Sequence, residues 1–209
     1  MKESKKSRFG AMLTAGIDVI GAGLLWLLCS LPLLTLGAAT SALYYGTVKC
    51  IRHERGTLVR SFFAAFRRDF KTATLLWLLF LGAGLILGLD AWAIGAMGLG
   101  GGVLGVLRWI LLILPLVLFP WVFAFVSRFS NTVGGTLKYC GYLALRHIGT
   151  SLIMTAELLG FGLIVYLMPP IVFLLPGLVC LLLSLQIEPV FRRITAESGA
   201  SGADEWYNE

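Results

Sequence analysis

Long apolar runs separated by short basic clusters give this chain its pattern. Five runs stand out, at about 16–36, 72–90, 103–127, 149–168 and 170–190. Each approaches the roughly 20 residues a helix needs to cross a hydrocarbon core of about 30 Å. The runs are continuous, whereas barrel strands alternate. A lone strand in lipid would leave its backbone unpaired. The pattern therefore predicts an all-α, polytopic transmembrane helical bundle.

The polar positions between the runs orient it. Residues 1–14 hold Lys2, Lys5, Lys6 and Arg8, and residues 49–71 hold Lys49, Arg52, Arg55, Arg60, Arg67, Arg68 and Lys71. Arg128, Lys138 and Arg146 follow the third run, and Arg192 and Arg193 the last. The turns at 91–102 and Met168–Pro169–Pro170 carry no basic residue. Positive charge marks cytoplasmic segments, so both termini are expected inside the cell membrane and the bare turns outside. The N-terminal segment imitates a secretory signal, but its apolar run exceeds the usual 7–15 residues of such a signal and reads as an uncleaved first span.

Parity then demands a crossing between Leu36 and Lys49. The stretch from Gly37 to Val48 is the candidate, about 18 Å long at about 1.5 Å per residue. It reads either as a short, protein-covered helix or as one limb of a re-entrant hairpin that turns at Pro32. The prediction is about six membrane segments, with a basic cytoplasmic N-terminus at 1–14, one transmembrane domain at 15–192 and a polar cytoplasmic tail at 193–209.

The basic connections are themselves patterned. Phe62, Phe63, Phe66 and Phe70 recur at helical spacing with charges between them, which predicts an amphipathic cytoplasmic elbow helix; Lys138–His147 is a weaker version. At an offset of 79, five of the twelve positions 56–67 are identical in 135–146. This suggests a two-fold internal repeat of inward helix, elbow and outward helix, at 37–90 and 103–168.

Composition agrees with the pattern: 58% of residues are hydrophobic and 13% charged, against about 25% charged in soluble domains. A net charge of +6 would suggest nucleic acid in a soluble protein. Here it is explained by topology and anionic headgroups, and no nucleic-acid partner is expected. Cys29, Cys50, Cys140 and Cys180 form no CxxC pair and read as small buried hydrophobes.

Ionisable residues inside spans are the default functional candidates. Glu157 sits near the middle of one run, and Arg108 lies a few residues into another, as a substrate- or proton-coupled pair or a structural ion pair. Asp18, Asp90 and Glu188 fall near span ends and read as interface-anchored carboxylates. Pro115, Pro120, Pro169, Pro170 and Pro176 read as kinks. His53 and His147 are not at metal-ligand spacing, and no nucleophile elbow, phosphate loop or dinucleotide fingerprint occurs. No enzyme activity, catalytic residue, cofactor or metal is expected.

The segment from Ser30 to Tyr44 (SLPLLTLGAATSALY), with the block Phe62-Phe63, Phe66, Asp69-Phe70, resembles the YesL family of small bacterial integral membrane proteins, a domain of unknown function. The resemblance covers about residues 9–195. It implies a helix break at Pro32, close packing around Thr35, Gly37 and Tyr44, and elbow anchoring by Phe63 and Phe66. YesL proteins are neighbours of carbohydrate-uptake transporters. The resemblance therefore implies an accessory or transport role in sugar utilisation, with the lipid bilayer and an ABC-type sugar permease or other membrane protein as partners. The alternative is a non-transporting scaffold or signalling partner that binds a cytoplasmic protein or anionic lipid.

The topology has a direct check. Single cysteines placed at positions 40 and 98 should react with a membrane-impermeant maleimide added outside intact cells. Protection of both would break the arrangement.

Overall fold

The computed structural model describes residues 2–54, 56–96 and 102–198, without the side chains of 2–13, 15, 96, 102–104, 107–109 and 196–198. Seven α-helices follow one another among these residues: α1 Lys2–Ser30, α2 Leu36–Gly46, α3 Leu58–Ala96, α4 Gly102–Arg128, α5 Val133–Arg146, α6 Ile148–Leu167 and α7 Leu175–Ser198. The apolar stretches Leu58–Gly95, Ile110–Arg128, Ile148–Leu167 and Leu175–Thr195 are each long enough to cross a membrane, and Gly16–Ser30 is a shorter apolar helix. The chain is thus a helical bundle compatible with a multi-pass membrane protein.

Burial separates the layers. Only 17% of the most apolar windows of α3 and α6 is covered by protein, against 44% for α4 and 56% for α7. Leu85, Ile86 and Leu89 of α3 and Leu152, Leu159 and Leu163 of α6 are all more than half exposed. Such a surface suits lipid, not water.

The first apolar run does not form one helix. α1 ends at Ser30, and Pro32 precedes a 3₁₀ turn at Leu33–Thr35. Proline holds its own φ near −65° and excludes helical geometry from the residue before it, so the break falls where the expected span was to continue to 36. Side-chain bonds join the Thr35 N–H to Pro32 carbonyl bond at 2.8 Å in fixing the turn. Thr35 Oγ1 donates to the carbonyls of Cys29 at 2.6 Å and Pro32 at 2.8 Å, satisfying an orphan carbonyl at the end of α1. Trp77 Nε1 of α3 donates to the Leu33 carbonyl at 2.7 Å.

The return limb, α2, is covered on nearly every side: nine of its eleven residues are buried. It packs against α1, α3, α4 and α7. It also runs further than the 37–48 expected, because helical backbone at Gly46 and Thr47 carries it into a π-helical turn, Thr47–Arg52. Its small residues permit this. A Cβ on Gly37 would lie 2.5 Å from the Ala73 carbonyl and 2.5 Å from the Trp77 Cβ.

Three further boundaries depart from expectation. The elbow and the second apolar run are a single helix, α3, because no glycine or proline interrupts residues 58–81 and one stripe (Leu58, Phe62, Ala65, Asp69, Ala73, Leu76, Phe80) stays buried along it. In the second half the elbow α5 is separate from α6, with non-helical backbone at His147. The two expected repeat units therefore differ: the first carries its elbow inside α3, the second as the separate helix α5. The last span begins at Leu175, after a 3₁₀ turn at Pro169–Phe173, and α7 continues past 192 to Ser198. The glycine turn at 98–101 and the tail beyond 198 lie outside the described residues.

Gly37→Leu should destabilise the bundle by about 1–3 kcal/mol or more, since the added side chain meets backbone. Thermal unfolding in detergent reads this against Gly82→Leu, which meets nothing within 4 Å and should be neutral.

Candidate functional site: a polar seam around the central helix

Helix α2 reaches its neighbours through polar side chains. On one flank, Thr40 Oγ1 accepts from Trp26 Nε1 of α1 at 3.1 Å. Ser41 Oγ faces Asp69 Oδ2 of α3 at 3.5 Å. Tyr44 donates its hydroxyl to Glu188 Oε1 of α7 at 3.3 Å. Ser41, Tyr44, Asp69 and Glu188 are all buried.

Glu188 is the centre of this seam. Its other oxygen accepts from Arg128 Nη1, the last residue of α4, at 2.6 Å, and the two side chains are 1% and 3% exposed. The Arg128 guanidinium lies 5.7 Å from the Phe191 ring and 5.9 Å from the Phe129 ring. Phe191 also meets Trp121 and Phe125. This aromatic wall excludes water from the pair, so the charge-assisted bonds are strong and neither charge can be removed without stranding the other.

Other basic residues near the same end also reach main-chain carbonyls of neighbouring helices. Arg52 Nη1 donates to the Ser184 carbonyl at 2.7 Å and to its hydroxyl at 3.1 Å, in the turn of α7 before Pro189. Arg68 Nη2 donates to the Ser127 carbonyl at 2.6 Å, a helix-end acceptor that favours a cation. The same guanidinium bonds Asp69 through Nε and Nη2, each at 2.9 Å, and stands 4.9 Å over the Tyr45 ring. Lys49 Nζ reaches Tyr45 Oη at 3.1 Å.

A second polar contact lies between α6 and α7. Gln186 Nε2 donates to Glu157 Oε1 at 2.6 Å. Glu157 Oε2 and Gln186 Oε1 are shielded from solvent and have no hydrogen-bond partner among the described residues.

The sequence-expected residues divide accordingly. Glu157 is tied to Gln186, and the side chain of Arg108 lies outside the described residues. Asp90 is exposed and Asp18 half-buried, but Glu188 is no interface carboxylate: it is the most enclosed charge of the seam. Thr35 holds the Pro32 break, Gly37 makes the close approach, and Tyr44 enters the seam. Phe63 is 41% exposed, and Phe62, fully buried, anchors the elbow with Phe66 packed beside it. Arg52, Arg68 and Arg128 were read only as topology charges. A charge count carries no signal of these partners, although a lone carboxylate in the apolar run Leu181–Val190 flags the need for a counter-ion.

No cluster of three or more His, Cys, Asp or Glu that could hold a metal occurs among the described residues. What the arrangement does is fasten α2, α3, α4 and α7 to one another.

Residues 19–91 match the family model described as "Protein of unknown function, DUF624". That region spans the last twelve residues of α1, the Pro32 turn, α2 and most of α3. No curated protein and no solved structure gives a significant match.

Glu188→Leu and Arg128→Met should each cost about 3–5 kcal/mol, whereas the double variant Arg128→Met/Glu188→Leu should recover much of that loss, since a buried pair exchanged for apolar groups is often near neutral. A double-mutant cycle by thermal unfolding measures it. Cys140 on α5 gives a second check: burial pushes its thiol up to about 12, so the unreactive thiol form is held through neutral pH and thiolate appears only as pH rises toward that value. Native protein should resist maleimide at Cys140 at neutral pH and label after unfolding in SDS.

Proposed function

We propose that the protein is a multi-pass cell-membrane component of carbohydrate uptake, with both termini cytoplasmic, serving as an accessory or transport subunit without catalytic activity. One observation carries the reading. The YesL-like stretch from Ser30 to Tyr44 is the same stretch that forms the break and the buried central helix, so the family-like residues are the ones around which the bundle is organised. The match of residues 19–91 to a family of unknown function covers that hairpin and leaves the solute open. An ABC-type sugar permease is the partner this reading names.

A second reading, a non-transporting scaffold, is favoured by the Glu157 contact. The carboxylate at the middle of α6 is bonded to Gln186 and its free oxygen is shielded from solvent, an arrangement suited to holding helices together.

A deletion strain should lose uptake of one or more plant-derived oligosaccharides and recover it with the wild-type gene. Tyr44→Phe, which removes one hydroxyl from the seam, should restore uptake partially. Unchanged uptake across the sugar panel, with no permease co-purifying from native membranes, would rule out the first reading. A stable cytoplasmic partner recovered by crosslinking under those conditions would support the second.

A further inference from the structure

The contact between Glu157 and Gln186 holds an imbalance of donors and acceptors. Three oxygens meet there: both carboxylate oxygens of Glu157 and the amide oxygen of Gln186. The amide NH₂ serves Glu157 Oε1, while Glu157 Oε2 and Gln186 Oε1 are solvent-shielded acceptors with no donor among the described residues. An acceptor left bare in an apolar medium costs about 1–3 kcal/mol, and more when charged. Glu157 is also nine residues from the start of α6 and ten from its end, about 14–15 Å from either at 1.5 Å per residue. A carboxylate so placed is costly.

The surroundings offer little compensation. Helix α6 packs against α4, α5, α7 and the turn Pro169–Phe173, and that turn carries no charge. On α4, Arg128 is engaged with Glu188 of α7, and the side chain of Arg108 is outside the described residues. On α5, Arg146 bonds Tyr142. Lys138, Arg146 and His147 precede α6, and Arg192 and Arg193 are exposed beyond Gln186 on α7.

We infer that Glu157 is a proton-binding site within the membrane, carried as the neutral acid with the proton on Oε2 and Gln186 as its amide partner. Protonation forms one O–H bond, removes one negative charge and converts an orphan acceptor into a donor. Release of that proton to water would place a charge between two apolar helices, so it is coupled to opening of the α6–α7 contact. The inference holds whether or not the chain handles sugar.

The test is infrared difference spectroscopy on purified protein in phosphatidylethanolamine/phosphatidylglycerol vesicles at neutral pH. A protonated-carboxyl carbonyl band should be present, disappear in Glu157→Gln, shift in Gln186→Leu as its hydrogen bond is lost, and persist in Arg108→Gln. Dicyclohexylcarbodiimide, which modifies protonated carboxyls in apolar settings, should label the peptide containing Glu157. This labelling needs no variant and stands even if Glu157→Gln fails to fold. Absence of both the band and the label overturns the proposal. So does a band seen only in Arg108→Gln, which would mean an ionised Glu157 paired with that arginine. A label abolished by sodium or potassium chloride would mean an alkali-cation site and also overturns it.

Discussion

Helix α2 is too short and too polar to face lipid, and the bundle follows from that constraint. Eleven residues span about 16 Å at 1.5 Å per residue, roughly half a hydrocarbon core, and Thr40, Ser41, Tyr44 and Tyr45 all need polar partners. Such a helix is tolerated at membrane depth only inside a protein sheath. α1, α3, α4 and α7 supply that sheath, and three of them donate or accept a hydrogen bond at α2. Small residues let the sheath close: Gly37 meets α3, and Gly23 and Gly177 bring α1 against the turn before α7 and α7 itself, where added Cβ atoms would strike backbone carbonyls.

The charges at one end of the bundle serve the same closure. A surface ion pair contributes little, but Arg128 and Glu188 sit behind aromatic rings and join the end of α4 to α7. Arg52 and Arg68 work differently, by donating to main-chain carbonyls of α7 and α4. Basic residues that a charge count reads only as a topology signal thus also fasten helix ends together. The two roles are compatible because a long arginine stem lets the head reach inward from the interface.

Much of the architecture was legible in the sequence for simple reasons. The runs at 103–127 and 149–168 fall within one residue of α4 and α6 because apolar length and flanking charge decide a span with little help from tertiary contacts. Pro32 was legible as a break because proline acts locally. The fusion of elbow and span in α3 was hidden: charged Arg67, Arg68, Asp69 and Lys71 resemble a loop in a hydropathy count, yet they continue a buried helical stripe through Asp69 and Ala73. The seam was legible only in part. Tyr44 stood out through its resemblance to a family pattern. Glu188 looked like an interface residue because its partner is 60 positions away, a distance no local pattern spans. Glu157 could be placed at mid-depth by counting, but its amide partner is a tertiary fact.

The uninterrupted run of α3 has a mechanical side. Its 39 residues measure about 58 Å at 1.5 Å per residue, nearly twice the thickness of the hydrocarbon core. It is one strut that carries Phe62 and Asp69 near one end and Trp92, 75% exposed, near the other. A push on its amphipathic end cannot be absorbed at a loop, as it can at His147 between α5 and α6. Elbow and span therefore share one axis, and Trp77, partway along it, ties that axis to the turn after Pro32.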